Sequence, residues 1–183
     1  MKIITKKYLY WAASLLFIIG IALSIYSLLG GYDKIEIAQS TNNVYSVVGK
    51  WVEGERMHQV ERETFNEMRD LVINEKFKGE LCMIDYPSDT LGENEIKRFI
   101  GVLLDGEEVT AIPSGFTVLE ISTRRSYKTA LAMHPLVMPN SEKIDQALRS
   151  YAKENFGDSL QSLSMEIYYP DNSVLIEKFA VEE

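Results

Sequence analysis

Leu163-Ser164-Met165-Glu166-Ile167-Tyr168-Tyr169-Pro170 is the stretch whose reading decides the fold. Its β-branched and aromatic residues, its alternation and its terminal proline predict a strand. A period of two sends Leu163, Met165, Ile167 and Tyr169 to one face, and Ser164, Glu166 and Tyr168 to the other. The apolar set is expected to meet helices. The second face then carries a carboxylate beside a phenol. That pair reads either as a solvated sheet face or as part of a binding site.

An echo of this stretch stands 83 positions earlier, in Leu81-Cys82-Met83-Ile84-Asp85-Tyr86-Pro87. Ile84 matches Ile167, Tyr86 matches Tyr169 and Pro87 matches Pro170, while Met83 and Asp85 fall opposite Glu166 and Tyr168. The helical patterns upstream keep nearly the same spacing. Residues 57–77 carry Val60, Phe65, Met68, Leu71 and Val72 near one stripe, and Gly79 follows. After Asn140 or Ser141, either of which can cap a helix, Ile144, Ala147, Leu148, Tyr151 and Ala152 follow i, i+3, i+4, i+7, i+8. Gly157 stops that helix after Phe156. A repeated unit implies two similar halves with a seam, and seams are where pockets form.

The remaining strands fit the same order. Residues 34–39 and 44–53 alternate on either side of a polar turn at 40–43, and Tyr45, Val47, Gly49 and Trp51 share a face. Residues 98–104 form another strand, between a polar loop at 88–94 and a turn at Asp105-Gly106-Glu107-Glu108. In the second half, 116–122 and 127–133 flank Thr123-Arg124-Arg125, Pro135 and Pro139 bracket a loop, and 174–181 is the last strand. The expected fold is α+β: two βαββ pseudo-repeats, 35–110 and 113–183, with antiparallel sheets and one long helix each.

Ahead of these repeats lies a different kind of segment. Residues 1–7 carry Lys2, Lys6 and Lys7 with no acid, and 8–29 hold no charge over 22 residues. At about 1.5 Å per residue such a helix spans roughly 33 Å, enough for a bilayer core. Tyr8, Tyr10, Trp11 and Tyr26 stand near its ends, where amphipathic rings prefer the interface. This predicts a transmembrane anchor over 8–30 and a linker at 31–34. The lysines place the N-terminus in the cytoplasm and the domain at 35–183 outside the cell membrane's cytoplasmic face. A cleavable signal peptide is the competing reading. Its apolar region would be shorter, about 7–15 residues, and Ser24-Ile25-Tyr26-Ser27 is a poor cleavage site.

Apolar content of 46% and charged content of 25% are globular values. A net charge of −8 argues against a nucleic-acid footprint and favours cationic small molecules. The one cysteine, Cys82, cannot form an intramolecular disulfide. His58, His134 and Cys82 are too scattered for a metal site. No phosphate loop or nucleophile elbow is present, and no cofactor is expected.

In this order the motifs resemble the GyrI-like small-molecule-binding family, whose fold is shared by effector-binding domains of AraC- and MerR-type regulators. The resemblance rests on V-Y-S-V-V-G-K-W, on F-I-G-V-L-L-D followed by Ile112-Pro113-Ser114-Gly115-Phe116, on a helix ending in Asn155-Phe156, and on M-E-I-Y-Y-P-D. It covers about residue 35 to the C-terminus. It implies a pocket between the halves, lined by aromatics and holding an acidic residue that meets cationic or polar organic ligands. Carried over by motif, Glu166 is the acidic strand position and Tyr168 its neighbour, with Trp51 and Tyr45 as aromatic walls. Asp85 is suggested by the internal repeat alone. The anchor and the lack of a DNA-binding segment depart from the regulators.

The resulting expectation is a membrane-anchored module that binds a small organic ligand, with its protein partner open. Two alternatives stand beside it. One is a small-molecule hydrolase using Glu166, for which no second catalytic group can be placed. The other is a structural or interaction domain that has lost its pocket.

Overall fold

The computed structural model describes residues 2–55, 58–87, 95–106, 112–134 and 136–182. The expected helix start at 57, the loop at 88–94, Glu107 and Glu108 of the turn, and Pro135 lie outside the described residues. The chain forms two compact units, Met1–Lys34 with Ala132–Asn140, and Ile35–Leu131 with Ser141–Glu183.

The first unit is built on α1 (Lys2–Leu28). Within it Tyr8–Leu28 is long and apolar enough to cross a membrane, with a mean hydropathy of 2.0 and none of it buried. Trp11, Leu16 and Phe17 are about as exposed as Leu9 and Ile18 on other sides of the helix, so over Tyr8–Leu28 no face is buried. Gly30 closes it in the left-handed region at φ 83°. The backbone N–H of His134 donates to the carbonyl of Leu29 at 3.0 Å and ties the 132–140 segment to this end.

In the second unit the elements run β1 (Ala38–Glu55), α2 (His58–Ile73), β2 (Gly79–Asp85), β3 (Glu95–Leu104), β4 (Thr117–Leu131), α3 (Ser141–Phe156), β5 (Leu160–Tyr168) and β6 (Val174–Ala180). Each half is therefore β-α-β-β. All pairings are antiparallel, and the strands close into a barrel in the order β1-β3-β2-β5-β6-β4. The two halves meet along two seams, β1 with β4 and β2 with β5; the second lies nearest the residues of interest. There Met83 lies opposite Glu166, and these two residues are also the repeat equivalents, since 166 − 83 = 83. The local two-fold axis relating β2 to β5 thus passes through the Met83–Glu166 pair.

Two expectations are corrected. Residues 40–43 do not turn the chain, and neither do 123–125; β1 and β4 are each one long strand. The two polar segments pair with each other, from Ser40↔Ser126 and Thr41↔Arg125 to Asn43↔Thr123. Asn42 sits in the left-handed region at φ 53° without shifting the register, which is the same on both sides of it. Side chains there bond inside the ladder: Ser40 to Asn43, and the Asn43 amide to Ser126 Oγ at 3.1 Å. Turn-forming residues are thus satisfied without a turn.

The second correction concerns the faces of β5. Met165 and Ile167 lie inside the barrel with Val47, Cys82, Ile84, Phe99 and Phe179. The helices cover the outside. Under α2 the buried set is Val48, Val52, Met68, Phe77, Leu81, Ile100 and Val102, and Tyr168 packs against it. From α3 the buried residues are Ile144, Leu148 and Ala152. The apolar face of β5 therefore points away from the helices, and Ser164, Glu166 and Tyr168 point towards them. The barrel lumen is the drier of the two environments, so the purely apolar face goes there.

Candidate functional site

A cleft of about 260 Å³ opens beside β5, between α3 and the strands. Asp85, Glu142, Asp145, Glu166 and Lys178 supply its charges, and Ile144, Leu148 and Ile176 its apolar surface. Strand alternation explains the convergence. Asp85 shares a face of β2 with Leu81 and Met83, and β5 presents Ser164, Glu166 and Tyr168 on the matching face through the pairs Leu81↔Tyr168, Met83↔Glu166 and Asp85↔Ser164.

The carboxylates of this cleft differ in what holds them. Asp145 receives Arg149 Nε at 2.8 Å and pairs with Lys178, whose side chain is 9% exposed. Burial alone would raise the Asp145 pKa, but the bonds and charges of Arg149 and Lys178 carry it below the ordinary carboxylate value. Asp85 receives Arg98 Nε at 3.1 Å, and the same guanidinium donates to Glu61 of α2 at 2.7 Å. Burial works against the Arg98 charge, yet Asp85 and Glu61 together raise its pKa. Glu142 stands in the first turn of α3 and faces solvent.

Glu166 is different. It accepts the hydroxyl of Tyr168, and among the described contacts no cation reaches it. Burial, then the charge of Glu166 and the hydrogen bond to it, push the Tyr168 phenol well above its ordinary range. The phenol stays protonated near neutral pH and remains a donor. Its ring is fixed edge-to-face on Phe65 of α2, with centroids 5.1 Å apart.

Glu166, Tyr168 and Asp85 are thus brought together on the helix-facing surface. Tyr45 and Trp51 are not. They lie on the lumen side of β1, with the sheet between them and Glu166, so the expected facing walls of one groove do not form. Trp51 packs edge-on against Phe99 and tilts against Tyr86, each at 5.1 Å between centroids, and Lys97 Nζ stands 5.0 Å above its ring. Tyr45 donates its hydroxyl to Glu177, whose oxygens lie at 2.8 and 2.9 Å.

Sequence reasoning passed over Arg98, Asp145, Lys178 and Glu177. Glu177 had a signal: in Val174-Leu175-Ile176-Glu177-Lys178-Phe179 it shares a period-two face with Leu175 and Phe179, an acid on an apolar face. The partners of Arg98 and Lys178 come from distant elements and leave no local pattern.

No protein-family profile and no curated protein matches the chain by sequence. Solved structures match it by fold. A hydrolase from Listeria innocua is 11% identical, with a TM-score of 0.51 over 81% of this chain and 93% of that one. EcmrR in its DNA-bound transcription complex is 13% identical, with a TM-score of 0.51 over 100% of this chain and 72% of that one. SAV2435 bound to tetraphenylphosphonium is 11% identical, with a TM-score of 0.46 over 81% of this chain and 94% of that one. The likeness is one of fold: the chain has the GyrI-like arrangement of two βαββ units closed through one antiparallel sheet.

Proposed function

We propose that this chain is a membrane-anchored module that binds a cationic organic ligand in the cleft between α3 and β5. One observation carries the reading: Glu166 lines the cleft, yet its described partner is a neutral phenol, whereas Asp145 and Asp85 are engaged by cations of the protein itself. A carboxylate placed this way is completed by a cation from outside. Ile144, Leu148 and Ile176 give the ligand's apolar part a surface, and Tyr168 holds the carboxylate in place. A charge-assisted contact of this kind contributes about 1.5–3 kcal/mol.

Glu166→Gln keeps the shape and removes the charge. Titration calorimetry with tetraphenylphosphonium is expected to give at least a tenfold weaker affinity for this variant, about 1.4 kcal/mol. The melting temperature should move little, because Tyr168 can still donate to the amide oxygen. Equal affinities, or no binding by the unchanged protein, would leave Glu166 a structural residue and remove the reading.

The anchor is the second part of the proposal. Three lysines precede the uncharged span, which favours a cytoplasmic N-terminus and an extracytoplasmic binding domain. A reporter active only in the cytoplasm, fused after Glu183, should stay silent. Activity would reverse the orientation, and a mature chain starting near residue 28 would replace the anchor by a cleaved signal.

A further inference from the structure

We infer that Arg98 limits the charge the cleft can reward: by occupying Asp85 it leaves the inner cleft with one carboxylate to offer, Glu166, and so denies a dication the second contact that would make it bind more tightly than a monocation. The inference rests on the reading of the cleft as a ligand site. Asp85 and Glu166 both line that cleft from adjacent strands. Through the pairs Met83↔Glu166 and Asp85↔Ser164 they are diagonal neighbours on one face. Such neighbours stand about 7–8 Å apart, a spacing that two ammonium groups on opposite ends of one benzene ring can match. The fold therefore sets two carboxylate-bearing positions side by side on one face, about that far apart along the backbone, and then closes one carboxylate from within.

Arg98 does the closing. It lies opposite Asp85 in the β2–β3 ladder, so its side chain rises on the same face. Its Nε reaches Asp85 at 3.1 Å and a terminal nitrogen reaches Glu61 on α2 at 2.7 Å. Two anchors on different elements fix the planar guanidinium, and its side chain is only 18% exposed. Asp145 is closed in the same sense by Arg149 and Lys178. Glu142 faces solvent at the rim, where screening weakens its hold on a ligand.

The test compares two probes on the full-length protein in detergent: benzyltrimethylammonium, and the same ring carrying a second trimethylammoniomethyl group in the para position. The unchanged protein should bind both with affinities within about threefold. Arg98→Met should raise the dication-to-monocation affinity ratio at least tenfold, and Arg98→Met with Asp85→Asn should return it to the starting value. Arg98→Lys keeps a cation beside Asp85 and should leave the ratio within about threefold of the starting value, and Arg98→Gln repeats the test if Arg98→Met does not fold. A tenfold rise of the ratio in Arg98→Lys, or an unchanged ratio in folded Arg98→Met or Arg98→Gln, overturns the role of Arg98. If the monocation binds the unchanged protein and Glu166→Gln loses it, the cleft reading survives that failure. If neither probe binds the unchanged protein, the cleft reading falls and the inference with it.

Discussion

Gly49→Ala should cost the barrel about 3 kcal/mol or more, and Gly101→Ala a similar amount. A Cβ on Gly49 would stand 2.2 Å from the carbonyl oxygen of Ile100 and 2.6 Å from Cα of Gly101. A Cβ on Gly101 would stand 2.4 Å from the carbonyl oxygen of Val48. These obstacles are backbone atoms, so no side-chain rotation relieves them. The two glycines are directly opposite in the β1–β3 ladder. β1 cannot retreat from β3, because it also pairs with β4 as far as Gly49↔Thr117. Relief therefore means breaking a ladder on one side of β1. Overpacking in a core costs about 1–3 kcal/mol and at times more, and a clash between backbones belongs at the upper end. Against a total stability of about 5–15 kcal/mol that is a large share. Thermal melting followed by circular dichroism should show a drop of roughly 6–12 °C, taking about 2–4 °C per kcal/mol for a chain of this size. Gly20→Ala, where an added Cβ meets nothing within 4 Å, is the control and should leave the melt unchanged. A Gly49→Ala protein that melts with the control would mean that β1 and β3 do not approach this closely.

Those glycines show what a sequence exposes and what it hides. V-Y-S-V-V-G-K-W and F-I-G-V-L-L read as strands, yet nothing local says that their glycines meet. The repeat was legible because composition and spacing recur, and the offset of 83 even carries the seam register, Met83 on Glu166. The faces were not legible. Alternation divides Glu166 and Tyr168 from Met165 and Ile167, but in a closed barrel flanked by helices both faces are covered. Which one turns inward depends on closure, a property of all six strands together. The same limit explains why Asp85, Glu166 and Tyr168 converge while Tyr45 and Trp51 stay on the lumen side. Residues 40–43 read as a turn because Ser, Thr and Asn favour turns; their pairing with 123–126 is a contact across some 80 residues.

Tyr45→Phe is the second large expected effect, and it is set inside the barrel rather than at the cleft. Glu177 is 1% exposed, and its oxygens receive the Tyr45 hydroxyl at 2.8 and 2.9 Å and the Asn43 amide at 3.4 Å. Burial first, and then the charge of Glu177, push the Tyr45 phenol far above its ordinary range, so it keeps its proton and donates. Phenylalanine removes that donor and leaves a buried carboxylate with the long Asn43 contact. Losing one hydrogen bond to a charged group costs about 1.5–3 kcal/mol, and a buried charge stripped of a partner lies at the high end. We expect about 2–3 kcal/mol for Tyr45→Phe in urea unfolding. Glu177→Gln is expected to be near neutral, since the amide oxygen still accepts from Tyr45 and no charge needs to be kept out of water. Tyr45→Phe made on top of Glu177→Gln should then cost about 1 kcal/mol or less, because the bond lost is between neutral groups. The difference between the two backgrounds is the coupling energy of phenol and carboxylate. If Tyr45→Phe costs the same in both, the hydroxyl matters through packing alone, and Glu177 is held by something other than Tyr45.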